Sequence, residues 1–381
     1  MHYLDHAATT PVLPEVKAAM LPFLEEDFGN PSSVHAGGRR AKAAVEEARE
    51  RVAAAIGASP SEIVFTAGGT EGDNLGIKGG VRKLRGNGNH IVTTAFEHHA
   101  VLDTFEWLEG QGLHASFVPV PSSGVVTVDA MVEAVRPETI LVSVIAVNNE
   151  LGTVQPIGDI AAAVKAAVPN ALVHTDAVQA LGNVPIDVKA WGVDLAAFSA
   201  HKLGGPKGVG ALYVRAGVPV EPVLHGGGHE RGLRSGTLNV PGIVGFGIAA
   251  EVAAREVDEK AERLAKMRDR LLDGIRVAIP DVVVNGELDR RVAGNLNISI
   301  PHTEGETLLL LLDQAGIAAS AGSACQSGAI DPSHVLVSIG VPRKLAIGSL
   351  RFSLGRASSD DDVDAVLEAL PNVVETARRA A

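Results

Sequence analysis

Three consecutive segments decide the fold of this chain. They are the apolar run Ile140-Leu141-Val142-Ser143-Val144-Ile145-Ala146-Val147, a helical pattern over residues 157–168, and the apolar run Leu172-Val173-His174-Thr175. The apolar runs show little alternation of apolar and polar residues, which is typical of strands buried on both faces. A strand, a helix and a second strand in this order predict an α/β fold with a mostly parallel sheet.

The same alternation extends on both sides of these segments. Gly57 follows one of the helical patterns, as expected of a residue that ends a helix. We predict further strands at residues 63–66, 91–94, 193–198 and 209–214, and further helices at residues 39–56 and 100–109.

The character of the sequence changes near residue 240. A long, charged helical pattern over residues 241–278 predicts a helix that connects a large domain to a smaller α+β domain. We expect the large domain at residues 15–255, and the small domain at residues 1–14 plus 256–381. In the small domain we predict strands near residues 282–284, 295–300 and 349–354, and helices near residues 305–315 and 360–379.

Composition argues against several classes of protein. The 381 residues are 46% hydrophobic and carry a formal net charge of -12 without a basic block, so we expect no nucleic-acid partner. The apolar runs stop well short of the ~18 residues of a membrane-spanning helix, and the first residues lack a signal-peptide pattern. The single cysteine excludes an intrachain disulfide, which fits a reducing compartment. We therefore expect a cytoplasmic enzyme without a membrane partner.

The single cysteine lies among small residues. Cys325 stands in Ser320-Ala321-Gly322-Ser323-Ala324-Cys325-Gln326-Ser327-Gly328, whereas a structural cysteine is usually a small buried hydrophobe inside a helix or strand. The pattern predicts a loop over about residues 320–332 that brings a reactive thiol to a reacting centre.

Residues at the ends of the predicted strands supply such a centre, because ligands bind beyond the carboxyl ends of strands in open α/β sheets. Residues 68–71 follow a predicted strand and precede a helical segment, so they could hold a phosphate with backbone N–H groups at the helix start, or form a simple turn. Asp176 could pair with a protonated ring nitrogen or cap a helix. Lys202 could form a Schiff base or lie at the surface, and His98 could stack on a cofactor or be structural. Pyridoxal phosphate (PLP) enzymes combine these four features.

A set of motifs covers essentially the whole chain: Tyr3-Leu4-Asp5-His6, Gly29-Asn30-Pro31, Glu97-His98-His99, Asn148-Asn149-Glu150, His174-Thr175-Asp176-Ala177, Ser199-Ala200-His201-Lys202, Arg234-Ser235-Gly236-Thr237, Gly322-Ser323-Ala324-Cys325 and Arg351-Phe352-Ser353. In this order they resemble the cysteine desulfurases of the class V aminotransferase-like PLP family. The cysteine segment is similar to that of group I of these enzymes, and the Arg-x-Gly-His-His-Cys context of group II is absent.

The resemblance implies the fold of PLP-dependent transferases (fold type I) and a role for each matching residue. Lys202 would bind PLP as a Schiff base, Asp176 would keep the ring nitrogen protonated, and His98 would stack on the ring. Arg351 would grip the substrate carboxylate. The cofactor's other ligands would be Gln179 at the phenolic oxygen, Asn149 beside the substrate, Gly69, Thr70, Ser199 and His201 at the phosphate, and Thr237 of the partner subunit in an obligate homodimer.

The implied reaction removes sulfur from L-cysteine. Cys325 would attack the substrate sulfur as a thiolate and become a persulfide, and L-alanine would leave. A proton relay through His98 would help, because an ordinary thiol is only a few per cent ionised at pH 7. The sulfur would pass to an acceptor such as an iron–sulfur scaffold protein. The resemblance implies no metal in the enzyme itself, with Cys325 available to a cluster in a complex.

Some features depart from the commoner family pattern. Gly69 and Gly72 stand where Ala and Ser are frequent, and Ala200 replaces a usual Gly. The sequence stops soon after the last predicted helix, which leaves open whether an iron–sulfur scaffold protein docks at the C-terminus as it does on the longer tail of related enzymes.

Three alternative functions stay open. A selenocysteine lyase shares nearly every motif, another class V enzyme has no need for Cys325, and a non-enzymatic sulfur-transfer scaffold has no need for Lys202 or Asp176. The destination of the sulfur is open between iron–sulfur clusters, tRNA, other cofactors and DNA phosphorothioation.

Overall fold

A computed structural model describes residues 1–321 and 331–380. Its strands are β1 His2–Tyr3, β2 Ile63–Thr66, β3 His90–Thr94, β4 His114–Val118, β5 Thr139–Ser143, β6 Leu172–Asp176, β7 Leu195–Ser199, β8 Gly210–Val214, β9 Val283–Val284, β10 Asn295–Ser299, β11 Ile317–Ala318 and β12 Ser349–Ser353. Its α-helices are α1 Pro14–Leu24, α2 Ala36–Ala55, α3 Gly69–Leu84, α4 His99–Glu109, α5 Val128–Ala134, α6 Ile157–Ala167, α7 Val188–Trp191, α8 Val240–Ala278, α9 Gly305–Gln314, α10 His334–Ser338, α11 Arg343–Ala346 and α12 Asp360–Ala380.

The large sheet has the strand order β2-β8-β7-β6-β5-β3-β4. Strands β7, β6, β5, β3 and β4 are parallel to one another, and β8 is antiparallel to both β2 and β7. Every residue of β5, β6 and β7 is buried, which explains why these strands lack alternation in the sequence. The predicted α/β fold with a mostly parallel sheet is confirmed.

The apolar run at residues 140–147 is only partly a strand. β5 ends at Ser143, but the backbone N–H groups of Val144 and Ala146 still donate to the carbonyls of His174 and Asp176, at 3.1 and 2.8 Å. The chain thus continues along β6 before it turns, which brings the segment after Val147 to the end of β6.

Helix α3 lies unusually close to the large sheet because its inner face is made of glycines. A Cβ atom added at Gly72 would lie 3.1 Å from the Cβ of Ala197, and one added at Gly76 would lie 3.2 Å from Cδ2 of His174. The sequence pattern predicted a helical segment after residues 68–71 but did not define its end, since glycine weakens a helical signal. Its contact with the sheet compensates for that low propensity.

A second, smaller sheet has the order β12-β10-β9 with antiparallel pairs, and β1 pairs with β11 in parallel. The second sheet packs in a separate hydrophobic core, which contains Leu4 and side chains between Leu264 and Ala377. The 39-residue helix α8 begins at Val240, after Asn239 caps Gly242 N–H at 3.1 Å, and contributes to this core. We propose, as the sequence suggested, that the chain divides into residues 15–255 and residues 1–14 plus 256–381.

Candidate active site

The carboxyl ends of β3, β6 and β7 lie at one edge of the large sheet because these strands are parallel. Asp176 is the last residue of β6, and Ser199 is the last residue of β7. Lys202 ends a short 3-10 turn directly after β7, and His98 lies four residues after β3. The sheet thus brings together side chains that are up to about a hundred residues apart in the sequence.

Asp176 is a buried carboxylate that faces cationic neighbours. Its side chain is shielded from solvent, and its Oδ1 accepts a hydrogen bond from the Val178 N–H at 2.9 Å. Burial raises the pKa of Asp176, while His98, the Val178 N–H and Lys202 act in the opposite direction. A protonated ring nitrogen placed against this carboxylate would stabilise its ionised form.

His98 caps helix α4. Its Nδ1 accepts from the Ala100 N–H at 3.1 Å, which leaves the proton of the neutral ring on Nε2. Burial lowers the pKa of His98, so the ring is neutral at pH 7. A neutral, fixed imidazole at this position suits stacking on a planar ring and the transfer of one proton through Nε2.

Lys202 and Gln179 both contact the N-terminal segment. Lys202 Nζ donates to the carbonyls of Ala7 and Ala8 at 2.6 and 2.9 Å, and Gln179 Nε2 donates to the Ala7 carbonyl at 2.8 Å. Lys202, Gln179 and Asn149 line one cavity of about 370 Å³. The Oδ1 atom of Asn149 is buried and has no hydrogen-bond partner in the described part of the chain.

A second cavity, of about 740 Å³, lies at the start of helix α3. The first N–H groups of a helix have no intrahelical partner, so this end of α3 offers donors and a positive potential to an anion. A Cβ atom at Gly69 would lie 2.4 Å from Cγ2 of Val178, which explains why glycine stands at this position. The cavity is lined by Ala8, Thr9, Ala67, Gly68, Gly69, Thr70, Glu71, Asn74, Ser199, His201, Lys207 and Gly208.

His201 is a neutral donor in this second cavity. Burial, together with the charges of Lys202 and Lys207, lowers its pKa to about 4. Its Nδ1 lies 3.2 Å from the Thr9 hydroxyl. Together with Ser199 it offers hydrogen bonds to an anion without adding a positive charge of its own.

Arg351 lies in the small sheet, next to Asn149. Its Nη1 donates to the Asn149 carbonyl at 2.7 Å, and its Nη2 donates to Oδ1 of Asp5 at 2.8 Å. The Nε atom is buried and has no hydrogen-bond partner among residues 1–321 and 331–380. The structure therefore holds the guanidinium rigidly, although Arg351 lines neither cavity.

Two predicted site residues stand apart from this group. Thr237 is exposed and lines neither cavity of its own chain. Cys325 lies outside the described residues, as does most of the loop predicted at residues 320–332. On either side of that gap, the backbone of Ser320 pairs with Arg351, and the Ser333 hydroxyl donates to Oε2 of Glu150 at 2.5 Å.

The sequence analysis missed several buried acids around the site. Glu97 is fully buried, and its Oε1 accepts from the Thr94 hydroxyl at 2.5 Å and from the Ile145 N–H at 2.9 Å. Burial raises the pKa of Glu97 to about 8 and that of Glu150 to about 7. Both belong to motifs quoted in the sequence analysis, which assigned them no role, because their burial is a tertiary property that no local pattern predicts.

The donor set fits PLP. It combines a lysine, the buried carboxylate of Asp176, the unpartnered amide oxygen of Asn149 and an anion cradle at a helix start. Within the described residues, no group of three His, Cys, Asp or Glu side chains could hold a metal ion. None of the described helices combines the length and apolar character needed to cross a membrane.

Comparison with known proteins agrees with this geometry. The class V aminotransferase profile matches residues 2–366. The chain is 51% identical over 377 residues to the cysteine desulfurase IscS of Methanosarcina thermophila, covering 99% of this chain and 92% of that protein. It is 47% identical to the IscS-like cysteine desulfurase of Mycobacterium tuberculosis, covering 100% and 98%.

Solved structures give the same result. A NifS-like protein superimposes with a TM-score of 0.93 at 41% identity, covering 98% of this chain and 99% of that one. DndA from Streptomyces lividans superimposes with a TM-score of 0.78 at 39% identity, covering 92% and 99%. The large mostly parallel sheet, the residues gathered at its edge and the match over residues 2–366 place this chain in the class V aminotransferase family.

Proposed function

We propose that this chain is a PLP-dependent cysteine desulfurase, which converts L-cysteine to L-alanine and passes the sulfur to an acceptor. The observation that carries the proposal is the meeting of Asp176, Lys202 and His98 at one sheet edge beside an anion cradle. Relatives that are about half identical over nearly their full length carry the same function in their names.

The residues at the sheet edge would hold and tune the cofactor. When bound, PLP supplies an electron sink that acidifies the Cα proton of cysteine and weakens its Cβ–S bond. Lys202 would hold the cofactor through its ε-amino group and move the Cα proton. Asp176 would bind the ring nitrogen, His98 would lie against the ring, and Gln179 would donate to the phenolic oxygen.

The second cavity would hold the phosphate. Backbone N–H groups at Gly69 and Thr70 would act with the hydroxyl of Ser199 and with His201. We propose that Thr237 completes the cradle of the partner subunit in a homodimer. Its exposure on its own chain agrees with this role.

Exposed apolar side chains support a homodimer. Leu24, Phe28 and Val34 are 60%, 80% and 89% exposed within one short stretch of chain. Large apolar residues concentrated in one exposed segment mark an interaction surface rather than a free one. We propose that this segment lies in the dimer interface.

Arg351 and Asn149 would position the substrate. The planar guanidinium of Arg351 suits a carboxylate, and its fixed position through Asp5 and the Asn149 carbonyl reduces the entropy lost on binding. Cys325 would receive the sulfur as a persulfide after its proton leaves through His98. We propose an iron–sulfur scaffold as the acceptor and the cytoplasm as the location.

The test is an absorbance spectrum of the purified protein before and after L-cysteine, with sulfide and alanine measured in the same sample. We expect a PLP band that shifts with cysteine, and equal amounts of sulfide and alanine under reductant. A colourless protein that stays inactive after addition of PLP would favour the scaffold function instead.

Two variants separate the remaining alternatives. Cys325→Ala should retain the PLP band and its response to cysteine but release no sulfide. Lys202→Ala should lose the PLP band and the release of sulfide. Lys42→Ala, which changes an exposed lysine, should retain the band and the release of sulfide. A fully active Cys325→Ala would favour another class V enzyme. Faster turnover of selenocysteine than of cysteine would favour a selenocysteine lyase.

A further inference from the structure

A buried acid and a buried histidine lie behind Asp176 and have no role in the proposed reaction. Asp73 is in the second turn of α3, and His174 is two residues before Asp176 on the same face of β6. The glycine face of α3 allows this close approach, since a Cβ atom at Gly76 would lie 3.2 Å from the His174 ring. Asp73 is 1% exposed and His174 is fully buried.

The two side chains face each other. Oδ1 of Asp73 lies 3.5 Å from Nε2 of His174, and Nδ1 of His174 lies 2.8 Å from the Ser143 hydroxyl. The 3.5 Å contact is longer than an ordinary hydrogen bond, and neither Asp73 Oδ1 nor His174 Nε2 has a hydrogen-bond partner in the described part of the chain. Buried polar atoms are nearly always paired, so these two atoms are each other's partner.

The charges around the pair decide where its proton lies. Burial raises the pKa of Asp73 well above its ordinary value, and the carboxylates of Asp176 and Glu97 raise it further. Burial lowers the pKa of His174 to about 3. The imidazole is therefore neutral at pH 7, and these surroundings favour the protonated form of Asp73.

Asp73 and Asp176 therefore compete for a single proton. Two interacting carboxyl groups in a buried site do not both ionise freely, and a hydrogen bond to the protonated form of one acid retains the proton there. Nε2 of His174 is such an acceptor for Asp73, whereas Asp176 is near His98 and Lys202 and accepts the Val178 N–H. The surroundings thus favour the proton on Asp73 and the negative charge on Asp176.

We propose that Asp73 and His174 form a neutral hydrogen-bonded pair, with the proton on Asp73, which keeps the negative charge on Asp176. Asp73 and His174 are positioning residues, since they act on the cofactor through Asp176. This inference rests on the proposed function, in which Asp176 binds the ring nitrogen of PLP.

The first measurement is the infrared spectrum of the PLP-loaded protein at pH 7, compared with that of Asp73→Asn. We expect the wild type to show a protonated-carboxyl band that Asp73→Asn lacks. Glu97, with its pKa of about 8, supplies an internal reference band that fades as the pH rises through 8. An unchanged spectrum in Asp73→Asn would overturn the inference.

The second measurement is the affinity of the apoprotein for PLP. Asn at position 73 is neutral and can still donate to His174, so Asp73→Asn should bind PLP within about threefold of the wild type. His174→Phe removes the acceptor and lets the proton pass to Asp176, so it should bind PLP at least roughly tenfold more weakly, the factor that one pKa unit represents. His174→Gln keeps an acceptor and should stay near the wild type.

The double variant Asp73→Asn/His174→Phe separates this role from a structural one. With no competing proton at position 73, it should regain the affinity of Asp73→Asn, whereas a packing defect in His174→Phe would persist. A double variant that binds PLP as weakly as His174→Phe would overturn the inference. If His174→Phe does not fold, the infrared band of Asp73 and the PLP affinity of His174→Gln test the inference instead. A wild type that binds no PLP would refute the proposed function, and the infrared band would still test the proton on Asp73.

Discussion

At the scale of single residues, the site depends on groups whose protonation is set by burial. Glu97, Glu150 and Asp73 are acids with raised pKa values, whereas His6, His174 and His201 have lowered ones. The acids lower the free energy of unfolding as the pH rises above their ordinary pKa values, because only the unfolded state then ionises freely. The histidines favour the unfolded state as the pH falls below 6.5, so the two groups change the free energy of unfolding in opposite directions as the pH rises.

Glu97→Gln should reduce the decrease in the free energy of unfolding that occurs above neutral pH. The pKa of Glu97 is about 8 in the folded protein and 4.5 without its surroundings, so the folded state binds more protons between these values. The contribution of Glu97 to the free energy of unfolding should therefore decrease by roughly 1 kcal/mol between pH 7 and 8, and Glu97→Gln should lose this decrease. Urea unfolding at several pH values measures this slope.

The matched control for that experiment is Glu106→Gln, an exposed acid on the neighbouring helix α4. It should keep the slope of the wild type. A Glu97→Gln protein with an undiminished slope would show that Glu97 is ionised in the folded state.

At the scale of secondary-structure elements, helix α3 and the loop before α8 position the site by close packing. α3 approaches the sheet through glycines. The loop contains Glu230 and Arg231 at positive φ angles of 47° and 56°, which are unfavourable for residues other than glycine. A buried ion pair holds this loop, in which Arg49 binds both carboxylate oxygens of Glu230 at 2.7 Å.

Gly79→Ala should destabilise the protein by about 1–3 kcal/mol. The added Cβ would lie 2.4 Å from the backbone carbonyl of Glu221, which cannot move without shifting the chain. Gly86→Ala is the control, because nothing lies within 4 Å of its added Cβ, and its effect should stay within about 0.5 kcal/mol. Equal melting temperatures for the two variants would contradict the close packing of α3.

Glu230→Ala should cost about 3–5 kcal/mol of stability, because it leaves the buried guanidinium of Arg49 with only the half-exposed Glu46 as an acidic partner and removes the acceptor of the Phe65 N–H. Arg51→Ala breaks ion pairs with Glu47 and Glu251 that are partly exposed, and it should cost at most ~1 kcal/mol. Chemical denaturation compares the two. A small loss in Glu230→Ala would mean that the ion pair does not hold the loop.

At the scale of the whole molecule, the proposed homodimer can be tested through its exposed apolar segment. Phe28→Glu places a charge on a side chain that is 80% exposed in the single chain, and burial of that charge in an interface is costly. It should raise the dimer dissociation constant at least ~10-fold and weaken PLP binding, because Thr237 would no longer reach the partner.

Sedimentation velocity over a range of concentrations measures this effect. Val277→Glu is the control, since Val277 is 84% exposed on α8, outside the proposed interface segment, and its change should leave the dimer intact. Dimers of unchanged stability in Phe28→Glu would place the interface elsewhere.

The sequence by itself determined the parallel sheet, the long helix α8 and the proposed cofactor residues, because strand patterns and motifs are local. It indicated the start of α3 but not its extent, since a glycine-rich segment has low helix propensity until it packs on a sheet. Nor did it indicate that Asp73 faces His174, or that Glu97 and Glu150 are buried acids. Only the tertiary structure decided these features, because the distance between remote side chains and their removal from water depend on how the elements pack.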